Sequence, residues 1–350
     1  MKRAKYVLLL LIVFILIAVG VRILIPKSKL LEQVAVNQED ARKPIPKYNI
    51  SQLSMSEWST PSGIPYSQVP GANLGATSFQ ILDQNRIAFL CNSTSEVIIT
   101  NKLNGKSIKK FKVSIAPRDF VYENGIFYVL SEYEVTLYDE TGNELKKFPF
   151  STSYQGVERL TRNNDATYLL LPSGNSLMIE NCGTPIEPVE YDGIITGIGQ
   201  FIKTQITGNN SYSIKITFSK NQTFEKTFTT DKKVAGVFVV GATENRVIID
   251  VQEFISENPI AVERTVASID LSKNGFGSIV NCTEVPDCYY VISNKDFYIS
   301  ETGNIYNMIT SPKGVFILLL TETKSDKASG YPSSLIETKF RTNDNLIKLD

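Results

Sequence analysis

Two acidic residues sit in matching surroundings far apart in this chain. Asp119 follows Arg118 and precedes Phe120, and Asp296 follows Lys295 and precedes Phe297. Glu158-Arg159 opens a third stretch of similar character. Carboxylates brought together from separate repeats can hold a cation or divide the roles of acid and base. The bland use of such a carboxylate is structural, as the acceptor of a hydrogen bond from a neighbouring loop. The flanking groups Arg118, Lys295, Glu158 and Arg159 complete the candidate binding set.

Much other chemistry is excluded by composition. The chain has no histidine. That removes Ser-His-Asp and Cys-His nucleophile systems and every His-ligated metal site. The cysteines Cys91, Cys182, Cys282 and Cys288 form no CxxC pair, so zinc-ribbon and thioredoxin readings fail. Cys282 and Cys288 are close enough to close a small disulfide loop if the domain lies outside the cytoplasm; two unpaired thiols are the other reading. Cys91 lies in an apolar run and reads as a buried thiol. No GxGxxG or GxxxxGK(S/T) motif is present, and no cofactor is assigned. Lys plus Arg (36) equals Asp plus Glu (36), and no basic stripe interleaves with aromatics, so nucleic acid is not an expected partner.

The elements that must position these residues begin with a membrane-entry segment. Residues 1–5 are basic, and residues 6–25 are apolar apart from Arg22. At about 1.5 Å per residue, roughly 20 such residues span a hydrocarbon core of about 30 Å. Ala18-Val19-Gly20 offers a cleavage site, which would make the protein secreted. The apolar run continues past it to Ile25, with Arg22 placed to snorkel, and this favours an uncleaved anchor contacting membrane lipid. The charges around the span favour a cytoplasmic N-terminus and an extracytoplasmic, periplasmic-side domain. Residues 26–73 carry Pro44, Pro46, Pro61, Pro65 and Pro70 among Ser, Gly and Asn, and read as an extended stalk.

From residue 74 to 350 the hydrophobic period is two, with runs such as Arg86-Ile-Ala-Phe-Leu90 and Arg246-Val-Ile-Ile-Asp250 between turn residues. The stretch from Glu96 to Phe111 matches the stretch from Glu134 to Phe148, and their turn glycines are Gly105 and Gly142. Arg118 to Tyr128 matches Lys295 to Tyr306 in the same way. Second strands are expected near Ile87, Ile126, Tyr168, Tyr212, Val247 and Ile305. The interval after Val247 holds either a seventh unit or a hairpin extension over residues 251–267. Leu335 to Phe340 is a candidate closing strand for the first unit. Asp139-Glu-Thr-Gly-Asn143 and Ser300-Glu-Thr-Gly-Asn304 read as hairpin turns, since neither has the alternating carboxylates of a calcium loop.

A unit of about 40 residues with three or four strands is the mark of a propeller blade. On these repeats the chain resembles the β-propeller superfamily, with units similar to six-bladed NHL-type or quinoprotein-like repeats. The resemblance implies an all-β propeller of six blades, with seven as the variant, and the apolar run of residues 6–25 places one N-terminal transmembrane helix before it. A pair of β-sandwiches is the alternative. The Gly-His and Trp-Asp marks of WD40 blades, the boxes of sialidases and the Trp-rich repeats of quinoprotein dehydrogenases are missing, so no catalytic residue carries over. The expected function is a membrane-tethered binding or scaffold module with a protein partner in the envelope. The alternative is a propeller enzyme, a carbohydrate-active lyase or hydrolase using carboxylate, Arg and Tyr groups at the channel mouth.

Overall fold

The structure is a computed structural model that describes residues 45–324, apart from 155, 198, 219–222, 273–274, 287–289 and 301. The membrane-entry segment, the tail carrying Leu335 to Phe340, and Cys288 lie outside the described residues.

Six four-stranded antiparallel sheets follow one another along the chain, in the topology of a six-bladed β-propeller. Five of them are simple meanders in chain order. Their inner strands are Ala76–Ile81, Asp119–Glu123, Arg159–Asn163, Ile194–Ile195 and Val234–Thr243, and that of the sixth blade is Phe297–Ile299. Neither a seventh blade nor a pair of sandwiches accounts for this topology. Five of the six expected second strands contain the residue named from sequence. Tyr212 instead lies in the third strand of blade 4, Ser211–Thr217, because the second strand, Phe201–Gly208, is polar at its exposed end.

Apolar residues on both faces of each sheet explain the arrangement. Each blade packs a face on the blade before it and a face on the blade after it, so six separate cores form around the ring. Between blades 1 and 2, for example, Ala88, Leu90 and Val97 meet Phe120, Phe127 and Val129. Burying one such side chain contributes about 1.5–3 kcal/mol. The smallest core, between blades 3 and 4, consists of Ala166, Tyr168, Leu170 and Ile195 with partly buried neighbours such as Tyr191 and Phe201.

The ring is closed by a strand that the proline density conceals. Residues 26–73 read as a stalk, but Asn49–Glu57 is the outermost strand of blade 6, antiparallel to Gly314–Thr321. Pro44 and Pro46 precede this strand and Pro61, Pro65 and Pro70 follow it, so none removes a donor from its ladder. Ile50, Ser54 and Ser56 turn inward. Ser56 Oγ donates to the Gly105 carbonyl of blade 1 (2.8 Å). Trp58 Nε1 donates to the Ser311 carbonyl of blade 6 (2.6 Å). The clasp therefore touches both blades at the seam.

Blade 5 departs from the others. Its second and third strands, Arg246–Glu257 and Ile260–Ser272, are 12 and 13 residues long. The hairpin extension therefore takes up the long interval. The Asp139 and Ser300 segments are hairpin turns as read, with Gly142 and Gly303 at positive φ.

Candidate ligand site in the central channel

Inner strands that run in the same sense place the turns after them on one side of the ring. Asp83, Asn124, Asp165, Gly197, Glu244 and Thr302, one from each blade, line the mouth of a cavity of about 1220 Å³ on the axis. The inner strands are tied to each other by polar groups beneath this mouth. Gln80 Nε2 donates to the Tyr122 carbonyl (2.7 Å) and Tyr122 N donates to Gln80 Oε1 (2.9 Å). Asn163 Nδ2 donates to the Gly197 carbonyl (2.8 Å).

Asp119 is fully buried and belongs to this system of ties. Its Oδ1 accepts from Ser78 Oγ (2.6 Å) in blade 1 and from Phe120 N (2.8 Å). Its Oδ2 accepts from Leu160 N (3.0 Å) in blade 3. One carboxylate thus joins three successive inner strands. Lys295 Nζ approaches it to 3.8 Å and donates to the Phe120 carbonyl at 3.2 Å. Burial pushes the Lys295 pKa down; Asp119 opposes that shift and Arg159 adds to it.

Asp296 occupies the matching position in its repeat but different surroundings. It pairs with Arg264 at 2.9 Å, and Arg264 also pairs with the buried Asp250 at 2.6 Å. Burial raises the Asp250 pKa, against the pull of Arg264. The two aspartates named from sequence therefore do not converge on one opening, and neither lines the cavity. Arg118 points away as well, with Nη1 donating to the Val157 carbonyl (2.8 Å), and Glu158 is exposed. Of the sequence candidates, Arg159 and Lys295 line the cavity.

A third cation reaches the cavity that the sequence reading passed over. Arg162 contacts Glu123 at 2.6 Å and Glu180 at 3.0 Å, bonds Thr167 Oγ1, and lies over the Tyr128 ring at 3.9 Å. All these partners are side chains from neighbouring strands, so nothing in the local sequence around Arg162 signals them. By contrast, Arg159 Nε is buried and without a hydrogen-bond partner among the described residues. Among those residues no group of three or more acidic or thiol side chains could hold a metal ion. The cavity carboxylates Asp83, Glu123, Asp165 and Glu244 stand on four different blades. Cys282 is half-buried and its thiol is pushed up by burial; the expected pairing with Cys288 falls on a residue outside the described ones.

No family model matches the sequence, and no curated protein matches it. Solved structures do. Hydrazine synthase from Kuenenia stuttgartiensis is similar at 11% identity and a TM-score of 0.45, over 69% of this chain and 74% of that one. A catalytically inactive virginiamycin B lyase from Staphylococcus aureus, crystallised with quinupristin, gives 11% identity and 0.40, over 73% and 99%. BamB from Moraxella catarrhalis gives 14% and 0.33, over 52% of this chain and 58% of that one. The chain resembles the β-propeller superfamily, and the assignment rests on its own six sheets.

Proposed function

We propose that this protein is a membrane-tethered propeller that binds a protein partner on the extracytoplasmic side, with residues 6–25 as the tether. The observation that carries the partner reading is the hairpin of blade 5. The second and third strands of the other blades are five to eight residues long, so this hairpin overshoots its sheet. Near its tip, Ile255 is 60% exposed and Ile260 is 78% exposed. Lys233 pairs with Glu257 and Lys232 with Glu263, which neutralises the flanks and leaves apolar side chains as the feature to be recognised. Covering each isoleucine would contribute up to about 1.5–3 kcal/mol. A partner of complementary chemistry presents an apolar surface of its own.

The test is photo-crosslinking from position 258, in the exposed turn between the two isoleucines of the tagged full-length protein, followed by purification in mild detergent. A discrete crosslinked protein is expected, and it should disappear when Ile255→Asp and Ile260→Asp are combined. Recovery of the protein alone, or crosslinking unaffected by the charges, overturns the partner reading. The tether reading is tested separately with protease added to spheroplasts. Protection of the domain while a periplasmic control is digested overturns the outward orientation. A mature N-terminus near Val21, with the protein washing off membranes, overturns the anchor.

A further inference from the structure

We propose that the floor of the central cavity binds an oxyanion, a carboxylate or phosphate group carried by a small organic molecule, held between Arg159 and Lys295. This site is independent of the hairpin and goes beyond the partner reading.

Two cations, Arg159 and Lys295, line the cavity, and the buried Asp119 carboxylate lies 3.8 Å from Lys295. Asp119 Oδ1 faces Lys295, while Oδ2 takes the backbone N–H of Leu160, so Arg159 begins one residue away from the carboxylate that Lys295 faces. Both Asp119 oxygens are already occupied by Ser78, Phe120 and Leu160. Little acceptor capacity is left for a second cation, and among the described residues Arg159 goes without: its Nε is buried and unpartnered there. Buried polar groups of this kind call for an explanation, and a missing ligand is one. The cation beside it in the same strand shows what a structural arginine looks like here, since Arg162 has two carboxylates, a hydroxyl and an aromatic face. A guanidinium fork with an ammonium nearby matches the geometry of a carboxylate or phosphate.

Of the four cavity carboxylates, Asp165 and Glu244 lie on turns at the mouth, at the far end of the inner strands from Arg159. Asp83 is paired with Arg86 and Glu123 with Arg162. The cavity volume of about 1220 Å³ is far larger than an inorganic ion needs and suits a small organic ligand. Leu160, Tyr298 and Phe297 supply apolar wall for the body of that ligand.

The experiment is calorimetric titration of the full-length protein in mild detergent with inorganic phosphate and, in a second arm, benzoate, with chloride holding the ionic strength constant. Saturable one-to-one binding is expected in at least one arm, and which arm gives it separates phosphate from carboxylate ligands. Arg159→Gln should weaken binding by about tenfold or more. Lys110→Gln removes an equal charge from the exposed outer strand of blade 1 and should leave binding unchanged. Lys295→Met should also weaken binding, and Arg159→Lys should restore part of it. Thermal melts establish that each variant is folded, and Arg159→Lys against wild type decides the matter if Arg159→Gln is not. No saturable heat in either arm up to about 10 mM overturns the proposal. Equal loss in Arg159→Gln and Lys110→Gln overturns it as well.

Discussion

Asp119→Asn removes one charge and almost no volume from the point where three inner strands meet. The carboxylate accepts from Ser78 Oγ, Phe120 N and Leu160 N, and faces Lys295 at 3.8 Å. An amide at that position keeps one acceptor and turns an NH2 group towards donors. Losing a hydrogen bond to a charged acceptor costs about 1.5–3 kcal/mol, and leaving a buried N–H unpartnered costs about 1–3 kcal/mol. Lys295 also loses its nearest carboxylate. The combined cost should be about 3–5 kcal/mol, the range for breaking a buried charge pair. At about 2–4 °C per kcal/mol for a domain of roughly this size, the melting temperature should fall by roughly 6–20 °C. Asp296→Asn is the internal comparison, because Asp296 likewise stands between a basic residue and a phenylalanine. Its side chain is 23% exposed and its partner Arg264 keeps Asp250, so a cost of about 1–2 kcal/mol is expected. Urea unfolding followed by circular dichroism measures both. A cost for Asp119→Asn below about 1 kcal/mol, or no greater than that of Asp296→Asn, would refute the reasoning.

Two further predictions concern stability. Hydrogen bonds from Arg86 and Tyr122 hold the Glu140 carboxyl below its usual range, and those from Lys203 and Lys215 do the same for Asp192. A lowered folded pKa means stability that is present above the unfolded value of about 4 and is lost as pH falls through the folded value. The melting temperature should therefore drop as pH falls below about 4, and Arg86→Gln should make that drop shallower; an unchanged slope would count against the Glu140 contribution. Gly105 has φ +66, and a Cβ there would lie 1.7 Å from the Met55 carbonyl oxygen in the clasp strand. Gly125 has φ +82 with open space around it. Gly105→Ala should cost at least about 2 kcal/mol more than Gly125→Ala in the same urea assay, and equal costs would show that the clasp is not held at this contact.

The repeat was legible because blades 1 and 2 keep the same residues at the same turns, Gly105 and Gly142 with Phe111 and Phe148 after them. Turn positions require particular backbone angles, and those requirements survive in sequence. The clasp was not legible. Asn49 to Glu57 has few β-branched residues, and its strand character comes from the register that Gly314–Thr321 imposes on it. The candidate site was legible in part. Arg159 and Lys295 could be named because they begin repeat units, but their companions Asp119 and Asp296 look equivalent only along the chain. Which face of an inner strand turns to the axis depends on where the strand starts, and a shift of one residue reverses it. Asp119 heads its strand and turns into the interface, whereas Asp296 precedes its strand and meets Arg264 of blade 5.

The order of the clasp in the chain also fixes a timetable. Asn49–Glu57 is made early, and its partner Gly314–Thr321 is made some 260 residues later. At about 5–20 residues per second, the early strand waits roughly 13–50 seconds with its backbone donors and acceptors unmatched. During that interval blades 1 to 5 can fold in sequence as each meander is completed, but the ring stays open. An unmatched strand is a template for pairing with another chain. Its own composition answers that hazard, since Ser51, Gln52, Ser54 and Ser56 interrupt the apolar residues and lower its tendency to aggregate. The polar character that hid the strand from sequence reading is the same property that lets it wait.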